Sequence, residues 1–217
     1  MDAFLVSIAL AVAMVFDAVT DPLVGSFSDN LRTRWGRRHP LMLVASIPLG
    51  LCVIAVFIPP DGLSHMMLFV WLTTFTVLTR GFMTLYFVPW AAIAAELSDD
   101  YNVRTSIMMF RFAIGWTFGV GVPFVMLSTV MANTEEFPVG QLNPSAYPVM
   151  ATWTALIMIC GALATTLLTR REIPYLRQHV SATPPFRFRE ALSDMIRALR
   201  NRQFALVFAI VFISSAI

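Results

Sequence analysis

Five long apolar runs constrain this chain more than any other feature of it. They cover roughly residues 3–27, 40–58, 66–95, 106–131 and 147–169, and a sixth starts near Phe204. A helix needs about 20 predominantly apolar residues to cross the hydrocarbon core of a bilayer, so each complete run reads as a spanning helix. The third run is longer than one straight crossing, which implies tilt or extension beyond the lipid. Composition agrees: 58% of residues are hydrophobic and 13% charged, against about 25% charged in soluble domains. The expected fold is all-α, a polytopic membrane bundle.

The basic residues give the bundle a direction. All 15 are arginine. Residues 29–39 carry four, 59–65 none, 96–105 only Arg104, 132–146 none and 170–203 eight. Arginine-rich loops stay on the cytoplasmic side, so loops 29–39, 96–105 and 170–203 face inward and the N-terminus faces out. Within 184–203, Leu192, Met195, Ile196 and Leu199 recur at helical spacing, with Arg197, Arg200 and Arg202 mostly off that stripe. This predicts a basic amphipathic helix on the inner membrane surface. The expected organisation is 1–169 as five spans, 170–203 as a cytoplasmic linker and 204–217 as the start of a further span, within a longer protein. Cys52 and Cys160 lie inside apolar runs and read as small packing residues.

Charges inside the spans carry the functional signal, because ionisable groups in lipid are costly. Asp17 and Asp21 share one face of the first helix, about 6 Å apart along its axis. Two like charges this close in low dielectric need a bound cation, a proton or a neighbouring arginine. Pro22 has no N–H, which frees the Ala18 carbonyl between them. Such an oxygen suits a hard cation, and Thr20 offers a hydroxyl beside it. A buried ion-pair network is the structural alternative. Arg80, midway along the third run, either pairs with these aspartates or faces a substrate cavity. Tyr86 and Trp90, four residues apart, form a candidate platform for an apolar sugar face, and Pro89 predicts a kink between them. Glu96, Asp99, Asp100, Arg104 and Arg111, together with Asp29, Arg37 and Arg38, make a candidate charge cluster at the cytoplasmic mouth. Gly115, Gly119 and Gly121 suggest a small-residue face for close helix packing.

Two stretches resemble a known family. Asp17-Ala-Val-Thr-Asp-Pro-Leu-Val-Gly25, with Ser28-Asp29 and Arg34-Trp-Gly-Arg-Arg-His-Pro40, is similar to the second helix and following loop of the glycoside–pentoside–hexuronide:cation symporters. That is the melibiose-carrier branch of the major facilitator superfamily. Thr84-Leu-Tyr-Phe-Val-Pro-Trp90 through Arg104, with Arg111 beyond, resembles that family's fourth helix and the start of its fifth. A weaker match is Asn201-Arg-Gln-Phe204. The resemblance implies a major-facilitator-type bundle comprising helices two to six and the start of seven. It implies that Asp17 and Asp21 serve the coupling cation. It also implies that Gly25, Asp29, Gly36, Arg37 and Arg38 gate the inner side. Where the family often has Asn or Asp two residues before the proline, this chain has Phe87.

The expected function is secondary transport, sugar or glycoside:cation symport by alternating access, in the plasma membrane (the inner membrane of a bacterium). A lipid or other amphiphile carrier and a non-transporting membrane protein with a structural Asp–Arg network are the alternatives. The expected partners are a small sugar-like substrate, a monovalent cation (Na⁺ or H⁺) and the bilayer, with no cofactor, metal centre or nucleic acid. The three histidines lie in loops or at span ends, and no nucleophile–base set or phosphate loop accompanies them. An enzyme is therefore not expected.

Overall fold

The structure, a computed structural model, describes residues 3–98, 100–174, 176 and 193. Five helices carry it: α1 (Ala3–Asn30), α2 (His39–Phe57), α3 (His65–Glu96), α4 (Tyr101–Thr129) and α5 (Ala146–Thr169). All five are long and apolar enough to cross a membrane, and no strand occurs among the described residues. The expected amphipathic helix at 184–203, the sixth span and Asp99 lie outside the described residues.

Local chemistry sets the ends. Pro40 sits in the first turn of α2, where its missing N–H costs nothing. The Ser64 hydroxyl accepts from the Met67 N–H and starts α3. Asp100 accepts from the N–H groups of Asn102 and Val103 at 2.7 and 3.1 Å and starts α4. This cap extends α4 five residues upstream of the apolar run that predicted it. Consequently Arg111 lies about 15 Å into the helix, nearly three turns. Residues 31–38 turn back through Gly36, whose φ of +79° is a left-handed conformation suited to glycine.

α1 packs on α3, and α2 sits between α3 and α5. The interior is built from small side chains: Ala9 and Ala13 of α1, Ala45 of α2, Ala94 of α3, and Ala151 and Ala155 of α5 are buried. Between helices in lipid there is little hydrophobic gain, so close backbone approach and hydrogen bonds supply the cohesion. Gly50 of α2 faces Ile159 and the Ala155 carbonyl of α5, with no room for a Cβ. The Trp71 indole N–H donates to the Ala55 carbonyl at 2.7 Å, tying α3 to α2.

Among the described residues α4 packs chiefly on α3. Gly115, Gly119 and Gly121 have nothing within 4 Å of an added Cβ among the described residues. The expected helix-packing face is therefore not occupied by any of α1, α2, α3 or α5. Gly115 and Gly119 instead open a groove beside α3.

The three loops predicted to face inward gather at one end. Arg37 and Arg38 from the first reach Glu96 at the end of α3. The Arg170 guanidinium, at the start of the last, lies over the Trp35 ring at 4.0 Å.

Candidate functional site

α1 and α3 meet in a ladder of polar rungs. Arg80 Nη1 donates to Asp17 Oδ2 at 3.0 Å. One turn further on, Thr84 Oγ1 donates to Asp21 Oδ1 at 2.7 Å. Both pairs are separated by 63 residues, so the two helices run parallel and in register. The next contact in the series is Gly25 against Val88. Of the two sequence readings of Arg80, the structure forms the pairing with Asp17.

The other oxygen of Asp17, Oδ1, is buried with no hydrogen-bond partner among the described residues. Thr20 does not turn its proton toward the aspartates. Its hydroxyl donates back to the Phe16 carbonyl at 3.0 Å, the usual fate of a hydroxyl in mid-helix. Ala18 is on the exposed side of α1. Phe87 is about half exposed.

Tyr86 and Trp90 do not form one platform. Residues four apart on a helix differ by about 40° around its axis, and here that difference sends them to different neighbours. The Tyr86 hydroxyl lies 3.5 Å from the Ala162 carbonyl of α5. Trp90 turns to α4, where the Arg111 guanidinium stacks on its ring at 3.5 Å. Phe87 adjoins Trp90, with ring centroids 5.4 Å apart. Phe87, Trp90 and Arg111, with Met108, Phe112 and Trp116, line a groove of about 490 Å³ between α3 and α4. Among the described residues Arg111 is the one charged side chain lining it, and it also reaches the Ala91 carbonyl. This removes Arg111 from the cytoplasmic cluster in which the sequence put it. The reason is its depth in α4, which the Asp100 cap sets.

The cluster itself centres on Glu96. Its Oε1 accepts from Arg37 Nη2 at 2.9 Å and from Arg38 Nε and Nη2 at 3.1 and 2.6 Å. Arg38 Nη2 also reaches Asp29 Oδ1 at 3.0 Å. Asp29, Arg37, Arg38 and Glu96 are thus brought together. Arg104 is not among them; it donates to the Ser98 carbonyl at 3.1 Å. Gly36 presents its Cα to Ile173, and His39 Nε2 sits 3.1 Å from Thr169 Oγ1. The loop is therefore held against the end of α5 as well as α3.

Sequence reasoning did not single out Thr84 as a partner. The signal was present: Arg80 and Thr84 repeat the four-residue spacing of Asp17 and Asp21.

Comparison with known proteins adds an independent finding. A family model described as "MFS/sugar transport protein" matches residues 1–216. The chain is 32% identical over 121 residues to the inner membrane symporter YicJ of Escherichia coli, covering 55% of this chain and 25% of that protein. It is 34% identical over 132 residues to the sodium-dependent lysophosphatidylcholine symporter 1-A of Danio rerio, covering 59% and 24%. It is 23% identical over 200 residues to the lactose permease of Leuconostoc lactis, covering 88% and 30%. The chain spans about a quarter of the length of the curated relatives it matches.

Proposed function

The chain belongs to the MFS/sugar transport protein family, as its motifs foretold, and from that premise we propose that it is part of a secondary carrier coupling a sugar or glycoside to a cation. The observation that carries this reading is the placement of Asp17 and Asp21 in one span, facing Arg80 and Thr84 of another. Charge is retained in a membrane span chiefly where something is bound or moved. Two carboxylates and one guanidinium sum to −2 + 1 = −1, which one monovalent ion, Na⁺ or H⁺, would neutralise. No other cofactor is required. Ion binding favours the state that also binds substrate, and the chain cycles by alternating access.

The groove at Trp90 and Arg111 is the candidate substrate seat. An aromatic face packs on the apolar face of a sugar ring, and a guanidinium donates to hydroxyl or carboxylate oxygens. The Glu96 cluster is the candidate latch of the inner side, in the multi-pass setting of a bacterial inner membrane. A second reading has specific support. Aromatic walls with a single cation suit an amphiphile carrying an anionic group, and one relative is named as a lysophosphatidylcholine symporter.

Cation-dependent uptake of radiolabelled glycosides by the full-length protein tests the symport reading, with Asp17→Asn and Asp21→Asn alongside. Both variants are expected to lose ion-coupled accumulation. Normal accumulation with unchanged ion dependence in both would refute it. Uptake of a labelled lysolipid in place of the glycosides would favour the second reading.

A further inference from the structure

We infer that Arg80 is a built-in occupant of the cation seat at Asp17 and thereby sets which ions the carrier responds to. The inference rests on the symport reading and deepens it. A free cation held at Asp17 would need that carboxylate and further oxygens around it. Asp17 Oδ2 is instead engaged by Arg80 Nη1 at 3.0 Å. The guanidinium cannot be deprotonated in a protein, so its charge is permanent. It is tethered to the same bundle, which gives it a high effective concentration that a dissolved ion lacks. The remaining oxygens fit a free ion poorly. Asp21 Oδ1 already accepts from Thr84, and Phe87 offers no oxygen.

One atom keeps the seat open to an ion once the guanidinium is gone: Asp17 Oδ1, buried and without a hydrogen-bond partner among the described residues. With Arg80 removed, both oxygens of Asp17 would be free beside Asp21. Two carboxylates four residues apart would then need an external cation. Arg80 therefore acts as a specificity-determining residue. It holds Na⁺ off Asp17.

The test is the thermal melting of purified full-length protein in detergent, titrated with Na⁺ alone against choline at constant ionic strength. Arg80→Ala and Arg80→Gln are expected to raise the apparent Na⁺ affinity by about tenfold or more over wild type, the scale of losing one close charge pair. Arg80→Lys, which keeps a cation, is expected to stay near wild type. Adding Asp17→Asn to Arg80→Ala should abolish the gain. Equal Na⁺ responses in wild type and Arg80→Ala would overturn the inference, as would a gain that survives Asp17→Asn. Should Arg80→Ala fail to fold, Arg80→Gln keeps a hydrogen-bond donor in place and carries the same expectation. Melting reports on the seat without requiring transport. A wild type that moves no substrate therefore refutes the symport reading separately.

Discussion

Glu96→Gln removes one charge from the cluster with Asp29, Arg37 and Arg38 and keeps the side chain's shape. In the native protein Glu96 Oε1 accepts three charge-assisted hydrogen bonds, from Arg37 and Arg38. The side chains of Arg37, Arg38 and Glu96 are 21%, 10% and 19% exposed. Breaking a fully buried pair costs about 3–5 kcal/mol, and an exposed one about 0–1 kcal/mol. This cluster lies between those limits, so about 2 kcal/mol is expected. That is roughly thirty-fold in an equilibrium constant. A carrier resting about 1% open on its inner side would then be open about a quarter of the time. Ser28 reports the change, because it is fully buried beside Asp29. With Cys52 and Cys160 replaced, a cysteine at Ser28 should react with a membrane-impermeant maleimide only when the cluster opens. Applied from the cytoplasmic face, the reagent should label Ser28→Cys roughly twenty times faster in Glu96→Gln, since labelling tracks the open population when closing is fast. A labelling rate within about twofold of the parent would refute the latch. So would simple additivity of Arg38→Ala and Glu96→Ala in a double-mutant cycle.

Trp90→Ala removes the ring under Arg111, an interaction worth about 0.5–2 kcal/mol, so the KM for the transported substrate should rise roughly 3- to 30-fold. An unchanged KM would place the substrate elsewhere, and Arg111→Lys should fail to substitute because it lacks the planar guanidinium. Thr84→Val takes the donor from Asp21 and should lower the melting temperature through a loss of about 1 kcal/mol. Thr84→Ser should restore it, and equal melting of both variants would count against the rung. Gly50→Ala forces a Cβ to within 2.5 Å of the Ile159 side chain and 3.2 Å of the Ala155 carbonyl. It should destabilise the α2–α5 contact by about 1–3 kcal/mol in thermal unfolding, whereas Gly161→Ala, with nothing within 4 Å, should be neutral.

The spans were readable because lipid imposes a length and an apolarity on any helix that crosses it. Arginine counts put the loops 29–39, 96–105 and 170–203 on one side, and these loops converge through Arg37, Arg38, Glu96 and Arg170. The start of α4 was misread because it is set by a polar cap, Asp100, inside a charged stretch that hydropathy discards. That error moved Arg111 to the wrong depth and hid its partner. The Arg80–Asp17 pair could be anticipated from cost alone, since a mid-span arginine needs a carboxylate. The direction in which Tyr86 and Trp90 turn could not, because spacing fixes a helix face only to within tens of degrees. The return of the Thr20 proton to its own backbone is equally invisible in composition; the hydroxyl has a local acceptor that competes with any other acceptor.

The seam between α1 and α3 follows every fourth residue on both helices: Asp17, Asp21 and Gly25 against Arg80, Thr84 and Val88. Each such step advances about 6 Å along the axis and turns about 40° around it. The seam is therefore pitched like a screw thread, and sliding that keeps it closed must also rotate. Asp29 lies one further step along the same thread, where it meets Arg38. An advance of α1 by one step would swing Asp29 around the axis, away from Arg38. The Asp17 and Asp21 rungs and the Asp29 carboxylate are thus geared together on a single shaft.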